Sequence, residues 1–535
     1  MPLPLLLTLI PLTGVCAFLA LRQAMHMFQL NSYQDFPYKN WLKGHRSVFV
    51  SAKRLVPCGL MLGGSLIGGW PMVLLWAAGT GLYVLVNRPQ PAKKPLVYTP
   101  RVKRMLICAA VIFCLWVLLA DYVFACLVFT GFARGQMGLI RLGYFLPALM
   151  LVLSILLQHR LIMVYNDMMQ PVEKRINKGF ETDARNILAS MPNLRIIGIT
   201  GSYGKTSTKF FLQQLLSTRY DVYMTPGNYN TTLGVIRAVR EGLRPTHQIF
   251  LCEMGARYKG DIREICELVH PDLGVITSVG PQHLETFGNL ETVLSTKLEL
   301  ADAVKGKGPV FLNLDSAPLA AGEPDQERIT YGQNGRDYRL SDLYVDETGS
   351  RFTVTAPDGE SQSFSTRLLG TANVQNICGA IAVSHHLGIP LRALVPAVRQ
   401  LEGAPHRLQL LRRPDMTIID DAYNSNPVGA KNALETLAMC RGVRIAVTPG
   451  LVELGDKELE YNETLGRQAA GCCDVLITVG RQERTAAIRR GAQEAGLEPA
   501  HIVQADTVQQ AVDQARALPG SPKMVLLLND LADNY

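Results

Sequence analysis

Acidic residues are nearly absent from the first third of this 535-residue chain. Residues 1–165 hold 15 Lys and Arg but only Asp35 and Asp121, a balance of +13. The whole chain carries +8, so the remainder carries −5. The positive charge lies between apolar runs, not along a soluble face, which argues against nucleic-acid binding. No C-x-x-C pair and no His/Cys spacing of the zinc-binding kind occurs among the 11 cysteines. Five of them (Cys16, Cys58, Cys108, Cys114, Cys126) lie in apolar spans. They read as buried free thiols in a reducing compartment. Internal repeats and low-complexity runs are absent as well.

What the front third has is length of apolar sequence. Residues 1–21 carry no charge and suffice to cross a bilayer. No basic residue precedes them, which disfavours a cleaved signal peptide. Residues 55–86 are apolar or small and interrupted at Gly68-Gly69-Trp70-Pro71. Met105–Phe132 and residues 138–157 follow. Segments 22–54 and 87–104 carry six Lys/Arg each, and the positive-inside rule places both in the cytoplasm. That requires residues 55–86 to cross twice, turning near Pro71, and gives five spans with an external N-terminus. Asp121 is either a functional intramembrane acid or an acid at the interface. The expected organisation is a multi-pass helical membrane region over 1–163, then a helical linker over 164–194.

From Arg195 the sequence alternates apolar strands with amphipathic helices, an α/β parallel sheet over a central domain, 195–403. Residues 328–368 read as antiparallel hairpins. A second, Rossmann-like alternation fills 404–535. Strand RIIGIT (Arg195–Thr200) runs into GSYGKTST. Gly201 and Gly204 let backbone N–H groups approach phosphates, Lys205 reaches a γ-phosphate, and Thr206, followed by Ser207, offers a hydroxyl to Mg²⁺. The standard first glycine of a P-loop is missing, because Ile199 stands there; the pattern is G-x-x-G-x-x-G-K-T from Gly198. Strand QIFLCEMG ends in Glu253, and LGVITSVG leads to His283 and Glu285 at the same carboxyl edge. Read alone, His283 is as well a structural histidine and Lys297 an exposed helical lysine.

The segments GITGSYGKTSTK, TPGNYNTTLGV, EMGARYKGDI, ITSVGPQHLETFGN, GTANVQN, HRLQ and IDDAYNSNP occur in that order. With Lys297 between the fourth and fifth, they strongly resemble the Mur ligases, most closely those that add D-alanyl-D-alanine to the muramoyl tripeptide. The resemblance implies a P-loop central domain, a C-terminal Rossmann-like domain, and an ATP-dependent amide ligase working through an acyl phosphate. It implies ATP and two Mg²⁺ as cofactors. Thr206 and Glu253 match first-metal contacts and His283 a second-metal ligand. Lys297 matches the lysine that many members carbamylate. Lys205, His283 and Lys297 are the implied catalytic residues. Asn373, Asn376, Arg407 and Asp421 match nucleotide contacts; Tyr423, Asn424 and Asn426 accompany Asp421 in a position suited to the nucleotide or the incoming amine, and Asn228 and Asn230 resemble the family loop near the muramoyl substrate.

Three departures stand out. Tyr203 replaces the usual P-loop asparagine, Ala372 replaces a histidine, and the apolar front occupies the place of the family's UDP-holding domain. The expected function is therefore a membrane-bound ligase for a peptidoglycan precursor, UDP- or lipid-linked, joined to an amino-acid or dipeptide amine. Its expected place is the inner (cytoplasmic) membrane, with catalytic domains in the cytoplasm and membrane lipids or wall-synthesis proteins as partners. Two alternatives remain: a ligase for another amide-linked envelope polymer of the poly-amino-acid type, and a catalytically silent scaffold.

Overall fold

The computed structural model describes all residues except 1–2, 32, 46, 48–50, 68, 90–93, 323–326, 347, 424–425 and 530–535. It divides into two compact units, Met1–Asn177 and Lys178–Leu531, and the division falls within a helix.

The first unit is helical: α1 (Leu3–Leu30), α2 (Asp35–Gly44), α3 (Ala52–Ile67), α4 (Gly69–Val86), α5 (Pro100–Arg134), α6 (Met137–Leu156) and the start of α7 (Gln158–Ala189). Four helical segments are long and apolar enough to cross a membrane by length and composition: Leu9–Leu30, Gly69–Val86, Pro100–Arg134 and Met137–Leu156. Five spans were expected. The shortfall is α3, whose 16 residues rise about 24 Å against a hydrocarbon core of about 30 Å. The break between α3 and α4 also precedes Pro71. Gly69 takes φ +61, open to glycine, while Pro71 sits in the first turn of α4, where a missing N–H costs nothing. Outward-facing residues are large and apolar, with Trp70 79% and Phe129 78% exposed.

Two of the basic residues in the first turns of α5 are committed inside this unit. Arg104 makes a two-pronged pair with Glu173 of α7, at 2.7 and 2.8 Å. Arg101 donates to Asn166 and lies 4.3 Å over the ring of Tyr33.

The second unit begins with β1 (Arg195–Thr200), α8 (Lys205–Leu216), β2 (Val222–Met224), α9 (Thr232–Gly242), β3 (Ile249–Glu253), α10 (Asp261–Val269), β4 (Leu273–Ile276), α11 (Leu284–Phe287), α12 (Leu290–Val304), β5 (Val310–Asn313) and α13 (Ala317–Ala321). It continues with β6 (Arg328–Gly332), β7 (Tyr338–Asp346), β8 (Gly349–Thr355), β9 (Ser361–Thr366), α14 (Thr371–His386) and α15 (Leu391–Arg399). The nine strands form one sheet in the order β2-β3-β1-β4-β5-β6-β7-β8-β9. β7–β9 pair antiparallel as expected of hairpins, but β6 pairs parallel with β5, so the hairpins extend the central sheet.

β1 shows why the sheet forms. Ile197 and Ile199 face a core with Phe211 and Leu215 of α8 and Ile377 and Ile381 of α14. Ile196 faces the opposite core with Ile265 of α10 and Leu300 of α12. A strand buried on both faces reads as a continuous apolar run. Gly198, mid-strand, admits Leu300 closely: a β-carbon there would lie 2.6 Å from Leu300 Cδ1. It serves packing, not phosphate approach.

A second sheet holds β10 (Gln409–Arg412), β11 (Thr417–Asp421), β12 (Val443–Thr448), β13 (Val475–Val479), β14 (Ile502–Ala505) and β15 (Lys523–Leu528), in the order β10-β11-β15-β12-β13-β14. It is parallel except for β10. Helices α16 (Pro427–Ala438), α17 (Glu458–Ala470), α18 (Glu483–Glu494) and α19 (Val508–Ala517) accompany it.

Candidate active site

Strand order reverses about β1, with β3 on one side and β4 on the other. Ligands of open α/β sheets bind at that switch, beyond the carboxyl ends of the strands. The turn after β1 is shaped for close approach. Gly201 has φ +153 and Gly204 φ +81; a β-carbon would collide with Thr277 Oγ1 at the first and Asn376 Oδ1 at the second. Tyr203 N–H donates to Ser278 Oγ, and its carbonyl accepts from Thr277 and Ser278, which locks the turn. α8 then starts with no side chain capping its first N–H groups, an arrangement suited to an anion.

Lys205 is half-buried and donates to Gly201 O at 2.6 Å. Burial pulls it down to about 8; Glu253 opposes that shift and Arg407 adds to it. Thr206 Oγ1 and Asn230 Nδ2 both donate to Glu253 Oε1, each at 3.1 Å. Asn230 thus holds the carboxylate. Ser207 is buried in the first turn of α8, and Asn228 is exposed.

Lys209 was missed from the sequence. It is fully buried and donates to Thr225 O at 2.8 Å and Gly227 O at 2.7 Å. Its Nζ also lies 2.9 Å from Glu253 Oε2, an ion pair whose angles fall outside a hydrogen bond. One side chain therefore ties α8 to the TPGNYN loop and to Glu253. Burial alone would raise Glu253; Lys209 and Lys205 outweigh it and hold the carboxyl below its usual range. The available signal was GKTSTK, which puts Lys209 one turn beyond Lys205.

Lys297, on α12, is 1% exposed, not the solvated lysine its surroundings suggested. Burial, then Lys205, pull it down to about 7, with Asp261 and Glu299 opposing. Burial, together with Arg257 and Lys297, also lowers His283 against the pull of Glu453. The ring is then neutral at pH 7. Its Nδ1–H donates to Glu453 Oε2, which leaves the lone pair on Nε2. Glu453 Oε1 pairs with Arg257 at 3.2 Å. His283 and Glu453 both adopt left-handed backbone, φ +50 and +63, a strained state for such residues.

Glu453 follows β12, so the second sheet reaches the first here. Three further contacts do the same. Asn426 Nδ2 donates to Ser202 O at 3.4 Å. Tyr423 interacts with Asn228 and lies under the Arg407 guanidinium, 4.5 Å from ring centroid to carbon. Val428 and Tyr203 both approach Gly280. Asn426 also caps α16, its Oδ1 accepting from Val428 and Gly429 N–H. Asn424 lies outside the described residues. Asp421 accepts from Leu408 N–H; burial pushes it up to about 7, against Arg407 and the Leu408 N–H and with Asp420. Asn373 is buried at the start of α14, donating to Leu369 O, and Asn376 sits against Gly204.

Residues 199–384 match the family model of the Mur ligase middle domain, and residues 406–529 match that of the Mur ligase glutamate ligase domain. The chain belongs to the Mur ligase family. Among curated Mur ligases, the UDP-N-acetylmuramoyl-tripeptide–D-alanyl-D-alanine ligase of Bacillus subtilis is 33% identical over 276 residues, 51% of this chain and 59% of the relative. The same ligase of Mycobacterium tuberculosis is 34% identical over 320 residues, 56% of this chain and 61% of the relative. The chain thus spans about three fifths of the length of these relatives. The structure of MurF from Thermotoga maritima in complex with ADP aligns with TM-score 0.60 and 25% identity, over 66% of this chain and 80% of that one. MurF from Acinetobacter baumannii aligns with TM-score 0.58 and 26% identity, over 65% and 76%.

The donors present suit the metal that Mur ligases use. A hydroxyl and a carboxylate oxygen converge at Thr206 and Glu253, as a hard cation requires. A neutral imidazole held through Nδ1 by a carboxylate is how ligating histidines are commonly oriented.

Proposed function

We propose that this Mur ligase is an ATP-dependent carbon–nitrogen ligase acting on a peptidoglycan precursor at the cytoplasmic face of the membrane. The observation that carries the reading is the convergence of Lys205, Thr206 and Glu253 from the first sheet with Arg407, Asp421 and Tyr423 from the second around one phosphate-binding turn. In the reaction a substrate carboxylate oxygen attacks the γ-phosphorus of ATP. The bond to the β–γ bridging oxygen breaks, and ADP leaves. An amine then attacks the acyl carbon, phosphate departs with the C–O electron pair, and the nitrogen loses its proton. Lys205 and Arg407 stabilise charge on the transferred group and on the leaving ADP. Mg²⁺, held by Thr206 and Glu253 and by His283, would neutralise phosphate charge. Lys297 is poised to react with CO₂ as a neutral amine, releasing a proton and becoming an anionic carbamate beside His283.

The relatives named above point to a muropeptide acceptor and D-alanyl-D-alanine as the amine. The apolar helices of residues 1–177 favour a precursor presented at the membrane, lipid-linked rather than free. The test is ATP consumption by the purified full chain in detergent, with D-alanyl-D-alanine and either UDP-linked or lipid-linked muropeptide. Turnover on the lipid-linked form is expected. Turnover confined to the UDP-linked form would sink the lipid-linked reading, and none with any muropeptide or amino-acid acceptor would favour a silent scaffold.

A further inference from the structure

The helical unit contains a buried cation that has no carboxylate partner among the described residues. Arg54, near the start of α3, is 3% exposed. Its Nη2 donates to Gln23 Oε1 of α1 and lies 3.2 Å from His159 Nε2 of α7. His159 in turn meets Tyr38 Oη of α2 through Nδ1 at 3.0 Å. Arg54 Nη1 has no hydrogen-bond partner among the described residues, and neither has the hydroxyl of the fully buried Tyr83 on α4. Tyr83 lies close enough to interact electrostatically with the guanidinium. Among the described residues no carboxylate pairs with Arg54. Residues 1–165 contain only two acids, of which Asp35 pairs with Lys39 at 3.6 Å.

A guanidinium removed from water is ordinarily paired. A water molecule would satisfy Nη1 but would not balance the charge. An anion with several acceptor oxygens does both, and it accepts from the phenol as well. Arginine's planar fork is matched to phosphate geometry. The location fits that chemistry. Asn87, just past α4, donates to Lys53 O beside Arg54, so the site lies at the end of the α3–α4 hairpin that carries the basic stretches. By the positive-inside rule this is the cytoplasmic end, at head-group depth.

We propose that Arg54 and Tyr83 form a binding site for a phosphate or diphosphate group, carried on a polyprenyl lipid or free in solution. The lipid source rests on the lipid-linked reading above; the anion does not.

The test titrates the full chain, in neutral detergent micelles, with polyprenyl diphosphate, inorganic pyrophosphate and neutral polyprenol. Binding is followed by native mass spectrometry and by fluorescence of Trp41, which stacks on Tyr38. Polyprenyl diphosphate is expected to bind saturably. Arg54→Gln should weaken it about 10-fold or more, as for loss of one charge-assisted hydrogen bond, and Tyr83→Phe about 3–10-fold. Pyrophosphate bound as tightly, with the same two dependences, would assign the site to a free phosphate. Polyprenol binding as well as the diphosphate would overturn the proposal. So would wild-type affinity in both variants at an unchanged melting midpoint. Tyr83→Phe removes one oxygen atom and carries the test if Arg54→Gln does not fold. Because binding is read and not turnover, Arg54-dependent binding in an enzyme that ligates only UDP-linked precursors would support the site while refuting the lipid-linked substrate.

Discussion

Lys209→Met isolates the interaction that organises the candidate active site. The lysine is fully buried, with two backbone carbonyls and Glu253 as its partners. Methionine keeps the length of the side chain and removes the charge, leaving Glu253 at 1% exposure without its ion-pair partner and two carbonyls without that donor. Breaking a buried pair from one side costs about 3–5 kcal/mol. At about 2.1 cal/mol/K of unfolding entropy per residue, over the roughly 350 residues of Lys178–Leu531, the melting midpoint falls by about 4–7 °C. The pH dependence has a definite sign. Lys209 and Lys205 hold Glu253 down, and burial alone would raise it. Without Lys209 the largest of the pulls that hold Glu253 down is gone and its folded-state pKa rises, so the stability lost relative to wild type grows as pH climbs above about 4.5. The deficit should be larger at pH 8 than at pH 5. Calorimetry of the full chain in detergent reads both quantities. Glu253→Gln alone should also destabilise, by stranding Lys209, and the double variant should recover much of the loss, because removing both charges is far cheaper than removing one. Additive losses in the double variant, or a single-variant midpoint within 1 °C of wild type, would refute the reasoning.

Lys205→Ala should lower kcat by roughly 10²–10³, since it removes the phosphate turn's own cation; near-normal turnover would move the chemistry elsewhere. Lys297→Ala should be inactive and partly rescued by short-chain carboxylates. In the intact enzyme activity should fall as pH drops below about 7, where the lysine becomes an ammonium unable to add CO₂, and added bicarbonate should offset part of that fall. A cysteine placed at Pro95 should resist an impermeant reagent applied outside intact cells, because the basic stretch 87–104 is read as cytoplasmic; labelling there would reverse the topology.

The sequence displayed what is local. RIIGIT followed by a glycine turn and lysine fixes β1 and α8, because a doubly buried parallel strand must be apolar throughout. Glu253 was legible for the same reason, as the first charge after such a strand. Asn426 carried a readable cap signal, an asparagine directly before a proline that opens a helix, and the functional motif around it drew attention away from that role. Burial of a charge was not legible. Lys297 looks like any helical lysine until Lys205, Asp261 and Glu299 are seen around it, and Lys209 looks like the solvated end of a motif. Nor was the parallel pairing of β6, since its alternation fits either direction. Nor was the length of α3 legible: its apolar composition runs on into α4, and the helix itself has 16 residues, below the length of the four segments that suffice by length alone.

Glu453 is the residue the sequence had least chance of giving, because its partners stand 170 and 196 positions away. Its position has a consequence for how the two sheets cooperate. His283 comes from the first sheet, but the carboxylate that selects its tautomer comes from the second. With Nδ1–H donated to Glu453, only Nε2 remains to bind a cation. The histidine is therefore correctly presented only when the second sheet is seated on the first. Glu453→Gln keeps the shape and can still accept from Nδ1–H through its amide oxygen, but it loses the charge that anchors the ring and Arg257 together. Such outer partners of a ligating histidine are worth about 10–100-fold in metal affinity. The expected result is a 10–100-fold rise in the Mn²⁺ concentration needed for half-maximal activity, with Mn²⁺ standing in for Mg²⁺, and little change in KM for ATP, whose turn lies at Gly201–Lys205. An equal loss in both quantities would mean that Glu453 acts by holding the sheets together rather than by orienting His283, and unchanged metal dependence would remove it from the site.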